Sequence, residues 1–592
     1  HYTSVENIHR VIDPLFLDPL RDELAAIRAE RVVLTRRRRL LEFQERLASL
    51  RLLDPACGSG NFLTETYLSL RRLENELLRA YLADEGQTHM GGDFSPIRVD
   101  ISQFFGIEIN DFAAVVAKTA LWIAESQMLR STASIVCHDL DFLPLASYSN
   151  IVVGNALRID WATVCPPSEL SYIIGNPPFV GARIMSKDQK DDLLAVFGAK
   201  WKNLGNLDYV CGWYKKAYDL IAPTTARAAL VSTNSVCQGE TVANLWAPLC
   251  EAGLHINFAH RTFRWDSEAQ GKAHVHCVIV GFSSQELPCS IFDEGGEQTC
   301  AHINPYLLPA KNTFIYSRQK PICPVPEIGI GNQPIDGGHY LFTAEERDAF
   351  VQIEPKSAAY FRPWYGAQEF ISRQPRYCLW LGDASPAELR AMPEALKRVN
   401  AVREFRSASK RASTLKLADT PTRFQVENMP EGEYISVPSV SSERREYVPM
   451  GFMDENSFAS NLVLIIPSAT LYHFGVLTSY AHNAWMRAVC GRLKSDYRYS
   501  KDIVYNNFPW PTPTAEQHDK IAATAQAILD VRAQFPDSSL ADLYDPAVMP
   551  PALRKAHREN DRAVMAAYGF DPTMPEPELV AQLMARYEMF TS

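Results

Sequence analysis

Two short segments of this 592-residue chain combine residue types that can do chemistry. Residues 54–63 have the sequence DPACGSGNFL, and residues 175–179 have the sequence GNPPF. The glycines of the first segment allow a sharp turn close to a ligand, and a helix starting near Asn61 points free N–H groups at a carboxylate such as that of S-adenosylmethionine. The second segment is suited to gripping an exocyclic amino group. Together they predict an amino-methyltransferase that acts on a nucleobase.

The second segment suits an aromatic amine, which is a poor nucleophile because its lone pair is delocalised into the ring. If Asn176 Oδ1 and the Pro177 carbonyl both accept from the amine, the lone pair is drawn towards tetrahedral geometry and pointed at the methyl sulfonium. Pro177 and Pro178 stiffen the acceptors, and Phe179 offers a flat face to a flipped base. We therefore predict a catalytic loop at Asn176, Pro177, Pro178 and Phe179. The alternative is a proline-stopped loop with a buried Phe.

Two acidic residues follow candidate strands. Glu108, in the stretch FGIEIN at residues 105–110, is placed to accept from both ribose hydroxyls of a nucleoside cofactor. Asp139, in the stretch CHDL at residues 137–140, is placed to accept from its adenine amino group. For both residues the alternative is a helix cap, and for Glu108 also a solvated acid.

Composition bounds the class of protein. Hydrophobic residues make up 46% and charged residues 22% of the chain, which is ordinary for a globular protein, and no apolar stretch is long enough to predict a membrane span. The 12 cysteines are scattered without zinc spacing, so we expect neither a disulfide framework nor a metal site. This fits a reducing bacterial cytoplasm. The chain begins at His1 with no secretory leader, and we expect that a segment preceded it.

The net charge of −10 is unevenly distributed. Residues 361–423 hold 12 Lys/Arg against 6 Asp/Glu, and residues 487–501 hold five against one. Because local basic fields matter more to nucleic-acid binding than total charge, a polyanionic partner is compatible with this chain. The alternative is a set of solvated helix faces.

The chain alternates between strand and helix patterns over its first half. Apolar spacing predicts helices at residues 7–20 and 22–50, with residues 36–39 on an exposed turn. Candidate strands lie at residues 51–54, 103–109, 134–137, 172–175, 228–232, 255–260 and 274–282. We predict an α/β fold with a Rossmann-like doubly wound sheet that ends in an antiparallel strand pair.

Changes in composition and in the strand-helix pattern predict four segments. A helical segment at residues 1–50 precedes a catalytic domain at 51–320. Residues 321–515 form a mixed α/β domain rich in short strands, and after the run FPWPTP a helical segment occupies residues 516–592.

The motif set resembles the amino-group DNA methyltransferases of the gamma arrangement, and more closely the MmeI-like (type IIL/IIG) restriction-modification enzymes. The closer resemblance rests on NIHRVIDPLFLD at residues 7–18, RPWYGAQEFI at 362–371, RYCLWL at 376–381 and SDYRYSKDIVYNNFPWP at 495–511. It implies a class I S-adenosylmethionine-dependent methyltransferase with a target recognition domain, which modifies N6 of one adenine in a short double-stranded DNA site.

The resemblance also implies the residues that contact the cofactor. They are Thr3, Asp54, Ala56, Cys57, Gly58, Gly60, Asn61, Phe62, Glu108, Ile109, Asp139, Leu140 and Asn176. It places a second base-stacking aromatic at Phe263 or Trp265, although either is also suited to the core. His274 and His276 share a strand face, and we interpret them as structural rather than as a metal pair.

Candidate DNA-binding residues lie in the basic stretches. They are Arg373, Arg376, Arg403, Arg406, Lys410, Arg411, Tyr497 and Arg498, the last two in a polar and aromatic loop at residues 496–499. Phosphate positioning and base recognition are both open to them, as is a plain surface role.

Members of this family usually carry a metal-dependent nuclease domain and a helical spacer before the methyltransferase. Near the recognition domain the only Glu-x-Lys is Glu354-Pro355-Lys356, and its proline is unsuited to a central catalytic strand. We therefore expect a monomer that methylates double-stranded DNA without cutting it, its nuclease domain lying outside this chain.

Three alternatives stay open. Cytosine N4 offers the same two hydrogen bonds, although by resemblance Asn at position 176 favours adenine. Glutamine methyltransferases of release factors also use Asn-Pro-Pro, but they resemble a shorter chain. The protein is also compatible with a methyltransferase or specificity component that needs partner subunits.

Overall fold

A computed structural model of the chain describes residues 3–85, 96–136, 150–265 and 275–592. These residues form two compact units, His1–Phe314 and Ile315–Ser592. Both of the predicted segments after residue 320 lie in the second unit.

The first unit alternates helices and strands. Its helices are α1 (Val5–Ile12), α2 (Asp18–Arg28), α3 (Val33–Ser49), α4 (Asn61–Glu85), α5 (Asp111–Val136), α6 (Lys187–Phe197), α7 (Cys211–Ile221), α8 (Gly239–Thr241) and α9 (Ala247–Glu251). Its strands are β1 (Leu52–Asp54), β2 (Phe104–Glu108), β3 (Ile151–Val153), β4 (Tyr172–Gly175), β5 (Arg227–Thr233), β6 (His255–Trp265), β7 (Val275–Ser283), β8 (Cys289–Asp293) and β9 (Gly296–Cys300).

Within the described residues, the strands of this unit form one sheet in the order β3-β2-β1-β4-β5-β7-β6-β8-β9. The first five are parallel, and β7 is antiparallel to both β5 and β6. Strand β1 pairs with β2 on one side and with β4 on the other, so the chain order reverses at β1. In open α/β sheets, ligands bind at the carboxyl ends of the strands that flank such a reversal.

The N-terminal helices and α4 and α5 supply one continuous apolar core with this sheet. Buried residues from α1 to α5 pack with strand residues such as Leu52, Phe104 and Ile174. The burial pattern of α4 and α5 follows helical spacing, which is why these long segments fold as helices against the sheet. This core fixes the positions of β1, β2 and β4, and therefore the positions of the loops at their carboxyl ends.

Two local predictions are wrong. Residues 134–136 belong to α5 rather than to a strand, and residue 137 lies outside the described ranges; the third strand is β3. The buried positions of α5, among them Met128, Thr132 and Val136, keep three- and four-residue spacing to the end of the helix. Residues 36–39 lie within α3 rather than on a turn, because arginine is a good helix former and Arg36 Nε reaches the carboxylate of Asp84 at 2.8 Å.

The second unit is mixed, as predicted, and begins with short strands. Its strands are β10 (Gly329–Ile330), β11 (Leu341–Phe342), β12 (Phe361–Tyr365), β13 (Arg376–Leu379), β14 (Tyr434–Pro438), β15 (Val440–Ser441), β16 (Gly451–Met453), β17 (Phe458–Ala459), β18 (Val463–Pro467), β19 (Gly491–Leu493) and β20 (Asp496–Arg498). Within the described residues they form three sheets, β10-β18-β14-β16, β11-β13-β12-β17 and β15-β20-β19.

The helices of the second unit become dominant towards its end. They are α10 (Ala344–Ile353), α11 (Ala367–Ser372), α12 (Pro386–Arg390), α13 (Pro393–Ser407), α14 (Ala412–Lys416), α15 (Leu471–Leu477), α16 (Tyr480–Val489), α17 (Ala515–Ala533), α18 (Leu540–Leu543), α19 (Pro551–Tyr568) and α20 (Glu576–Thr591). The last four account for the predicted C-terminal helical segment.

The turn between β1 and α4 depends on Gly60. Its φ is +83°, and a Cβ placed there would lie 2.9 Å from the Cβ of Ala117 in α5. We therefore expect Gly60→Ala to lower the free energy of unfolding by about 1–3 kcal/mol, from the left-handed backbone together with the clash. Chemical denaturation measures this change. Gly205→Ala is the control, since its new methyl group would meet no described atom within 4 Å, and equal effects of the two substitutions would contradict the prediction.

Candidate active site

The carboxyl ends of β1 and β4 meet at the chain reversal. Asp54 ends β1 with 1% exposure, and its Oδ1 accepts from the Ala56 N–H at 3.0 Å. On the adjacent strand, a Cβ at Gly175 would lie 2.6 Å from the same Oδ1. Only glycine lets β4 come this close, and the two predicted motifs therefore begin side by side.

Burial makes the Asp54 carboxyl a weaker acid than usual. It raises the pKa of the carboxyl to about 7; the Ala56 hydrogen bond opposes this rise, and the nearby Glu108 carboxylate adds to it. Binding of a cationic group beside these two carboxylates would be favoured, because it would compensate the negative charge of the buried Asp54 and of the half-buried Glu108.

Glu108 at the end of β2 holds the glycine turn. Its Oε2 accepts from the Gly58 N–H at 2.9 Å, and its Oε1 accepts from the Asn110 N–H at 2.9 Å. The structure thus gives this residue a turn-stabilising role, and the next residue, Ile109, is 69% exposed at the same edge of the sheet. The sequence predicted a ribose contact for Glu108, with a helix cap or a solvated acid as alternatives; the carboxylate accepts from two loop N–H groups rather than capping a helix, and the ribose contact stays a prediction.

The remaining residues of the glycine turn offer backbone more than side chains. Cys57 and Phe62 are 5% and 3% exposed and pack in the core, and the Cys57 N–H donates to the Ile107 carbonyl at 3.1 Å. Helix α4 starts at Asn61, where the Ser59 hydroxyl donates to the side-chain oxygen at 3.3 Å. The N-terminal turn of α4 can donate backbone N–H groups to an anionic group.

Asn176 follows β4 directly and has one occupied and one open side-chain atom. Its Nδ2 donates to the Thr3 hydroxyl at 3.5 Å, and Thr3 is 4% exposed. Its Oδ1 is buried and has no hydrogen-bond partner among the described residues. A buried acceptor without a donor is costly, so this atom is available for a donor from a bound molecule.

Phe179 and Phe263, two of the three aromatics predicted as candidates to face a base, both pack partly against the core that supports the sheet. Phe263 lies on β6 with the Arg10 guanidinium carbon 4.7 Å from its ring centroid. The predicted contacts at Asp139 and Leu140, and also His274, lie outside the described residues, as does the side chain of Trp265.

The loop after Phe179 is held by residues that the sequence did not single out. The Tyr209 N–H donates to the Val180 carbonyl at 2.9 Å, and the Asp208 carboxylate accepts from the Ala182 N–H at 2.9 Å. Tyr209 is itself fixed, because its hydroxyl donates to Asp192 at 2.8 Å. The sequence signal for this contact is an acidic residue shortly before a helix, as Asp208 is before α7, because such a carboxylate can accept from the N–H groups of a neighbouring loop.

In the second unit, Arg406 is wrong as a predicted DNA contact. Its side chain is fully buried, and its guanidinium donates to five backbone carbonyls at 2.7–3.0 Å. The accepting residues are Pro334, Ile335, Leu417, Thr420 and Arg423. Arg406 therefore organises the loops around α13 and has no donor left for a phosphate.

The predicted loop at residues 496–499 is also wrong. Residues 496–498 form β20, and Tyr497 is 8% exposed with the Arg492 guanidinium 4.3 Å from its ring centroid. Tyr499 is 4% exposed and its hydroxyl pairs with His482. Of the two DNA candidates here, only Arg498 is exposed, so Tyr497 is unsuited to entering a groove.

The other basic candidates are at least partly accessible. Arg373, Arg403, Lys410 and Arg411 are exposed, and Arg376 on β13 is half-buried. They stay predictions. Glu354, the acid of the Glu-x-Lys stretch, is 5% exposed and accepts from the N–H groups of Glu394 and Ala395 at 2.9 Å, so it caps α13.

Three family models match consecutive parts of the chain. They are the DNA-methyltransferase domain of MmeI at residues 30–293, the MmeI target recognition domain at 309–512 and the MmeI C-terminal domain at 514–592. The solved structure of the type IIL restriction-modification enzyme MmeI in complex with DNA is 42% identical, covers 100% of this chain and 79% of that chain, and has a TM-score of 0.89.

Two curated relatives also match. DNA methyltransferase A of Bacillus subtilis is 39% identical over 596 residues, which is 100% of this chain and 66% of that protein. A putative type II restriction enzyme and methyltransferase of Methanocaldococcus jannaschii is 30% identical over 122 residues, 21% of this chain and 10% of that protein. The chain thus spans 66% of the length of the Bacillus relative.

The strand order and the paired motifs at the chain reversal define a methyltransferase of the doubly wound α/β class. The chain belongs to the MmeI family and carries its methyltransferase, target recognition and C-terminal domains. These findings confirm the resemblance and the fold class predicted from sequence. No helix among the described residues is long and apolar enough to cross a bilayer.

The raised pKa of Asp54 predicts a pH-dependent stability difference. A carboxyl whose folded pKa is about 7 binds its proton more tightly in the folded state, so its contribution to stability falls as pH rises from about 4 to about 7. Without cofactor, Asp54→Asn should gain stability relative to the wild type between pH 5 and pH 8, by about 2–4 kcal/mol. Urea denaturation at both pH values measures it, and parallel profiles would contradict the assignment.

The buried guanidinium of Arg406 predicts a structural rather than a DNA-binding phenotype. Arg406→Ala leaves five carbonyls without their donor and should lower the free energy of unfolding by about 3 kcal/mol or more. The exposed Arg403 on the same helix is the matched control, and Arg403→Ala should stay within about 0.5 kcal/mol of the wild type. Denaturant midpoints decide between them, and a stable Arg406→Ala variant that binds DNA poorly would reverse our assignment.

Proposed function

We propose that this chain is a site-specific DNA methyltransferase that transfers a methyl group from S-adenosylmethionine to N6 of a flipped adenine in double-stranded DNA. The observation that carries the proposal is Asn176 Oδ1, a buried acceptor at the carboxyl end of β4 to which no described residue donates. Family membership supports DNA as the substrate, since the 42% identical MmeI structure is a complex with DNA. The modification half of a restriction-modification system is the role that fits.

The residues present fit S-adenosylmethionine. Asp54 and Glu108 place two carboxylates beside the glycine turn, and burial raises the pKa of Asp54, so a cationic ligand is favoured there. The first turn of α4 offers N–H groups to a carboxylate, and the exposed Ile109 offers an apolar surface to an adenine ring. S-adenosylmethionine, when bound, would supply an electrophilic methyl group on a sulfonium.

Asn176 Oδ1 and the Pro177 carbonyl would accept the two protons of the target amine. This would turn the amine lone pair out of conjugation with the ring and towards the cofactor side of the sheet. Thr3 fixes the orientation of the amide through its contact with Nδ2, so the acceptor rather than the donor is turned to the substrate. The amine becomes acidic only as the new bond forms, and no dedicated base is needed.

Phe179 would stack on the flipped base while the anchored loop resists rotation. Its ring is half-buried against the core, which fixes the plane of the aromatic face. Tyr209 and Asp208 hold the residues that follow it, so the stacking face and the two acceptors keep a constant separation. A fixed arrangement of this kind lowers the reorganisation needed for transfer.

The decisive experiment combines labelled S-adenosylmethionine with mixed double-stranded DNA and maps modified bases by long-read sequencing. We expect N6-methyladenine at one short sequence. N4-methylcytosine would replace adenine by cytosine as the target base, and label on protein or RNA would overturn the proposal.

Asn176→Ala should lower transfer by at least about 1,000-fold, while the affinity for S-adenosylmethionine changes little, because the substitution removes the Oδ1 acceptor for the amine and spares the glycine turn. Filter binding of labelled DNA product and calorimetry of cofactor binding give the two readouts. Asn312→Ala, which removes an exposed asparagine of the same unit, is the control and should keep full activity. Loss of both cofactor binding and transfer in Asn176→Ala would show that the loop is misassigned.

A further inference from the structure

A turn directly after the catalytic loop carries an apolar side chain into solvent. The Ile184 N–H donates to the Gly181 carbonyl at 3.0 Å and closes the turn. Ile184 is 79% exposed, and it lies eight positions after Asn176 in the chain. An aliphatic side chain this exposed enters an apolar gap without breaking packing contacts of its own.

The base of this turn is fixed on both sides. Before the tip, Val180 and Ala182 are bonded through their backbone to Tyr209 and Asp208. After the tip, Met185 is 6% exposed and anchors the chain. The next residue caps α6, since the Ser186 hydroxyl accepts from the N–H of the third residue of that helix. The residues on both sides of the turn are therefore held in place, and the Ile184 side chain at its tip is exposed.

Charge at the tip suits a nucleic acid. Arg183, next to Ile184, is exposed, and a guanidinium at this position can reach a phosphate while its neighbour points elsewhere. An apolar side chain beside a cation at the end of a fixed support has the chemistry of proteins that wedge a side chain between stacked bases.

Flipping the target base leaves a gap in the duplex and costs a few kcal/mol of stacking and pairing. We propose that Ile184 enters the base stack where the target nucleotide leaves, with Arg183 on an adjacent phosphate. The inference rests on the proposed function, because only an extruded base leaves such a gap. Ile184 fills the gap with a branched aliphatic group, which raises the population of the extruded state without touching the cofactor or the amine.

The test compares the full chain with its Ile184→Ala variant on two duplexes that carry the mapped site. One duplex is fully paired, and the other has an abasic position opposite the target adenine, so extrusion is already cheap. We expect Ile184→Ala to lose at least about tenfold in kcat/KM on the paired duplex and to stay within about threefold of the wild type on the abasic duplex. With 2-aminopurine at the target position, its fluorescence rise on binding should be smaller for the variant.

Matched substitutions separate a wedge from general damage. Ile123→Ala removes an isoleucine that is 54% exposed on α5 of the same unit and should match the wild type on both duplexes. Ile184→Leu should keep most of the activity, because it retains the aliphatic volume. Melting temperature and affinity for S-adenosylmethionine should be unchanged in all three variants.

Two results would overturn the inference while leaving the proposed function intact. One is full activity of Ile184→Ala on the paired duplex, and the other is an equal loss on both duplexes. A wild-type chain that methylates no adenine would instead remove the proposed function first, and the wedge with it.

Discussion

The approach of β4 to β1 at Gly175 is the constraint on which the site depends. With no Cβ at Gly175, the strand that carries the proposed catalytic loop lies against the Asp54 carboxylate, next to the strand that precedes the glycine turn. Any larger residue would meet the carboxylate oxygen at 2.6 Å and force the strands apart. The glycine turn and the loop at Asn176, which the proposed direct transfer needs side by side, would then move apart.

Elements that depend on a short contiguous stretch of residues are predictable from the sequence. Strands β1 and β4, the glycine turn and the loop at Asn176 each combine a local apolar run with turn-forming residues, so pattern and structure agree. The hairpin of β8 and β9 has no strand signal in the sequence, because its second strand is polar and largely exposed. The end of α5 resembles a strand in the sequence, because its last residues are β-branched or small.

The burial and the partners of individual side chains are harder to predict than the helices and strands. Arg406 and Arg403 lie in one basic stretch, yet one is sealed among carbonyls and the other faces solvent. Tyr497 similarly has the composition of a groove-binding residue but packs beneath Arg492. Residue type sets what a side chain can bond, whereas burial depends on contacts distant in sequence, such as those between Asp208 and the loop at Ala182.

The proton on Asp54 links this buried carboxyl to the energetics of the reaction cycle. With a pKa of about 7, the free enzyme near neutrality exists in both protonation states. An ammonium or sulfonium placed beside the carboxyl selects the ionised form, so occupation of the site expels a fraction of a proton to solvent. Buffers of different ionisation enthalpy would then report different apparent heats for the same binding event, because each buffer takes up the released proton with its own heat.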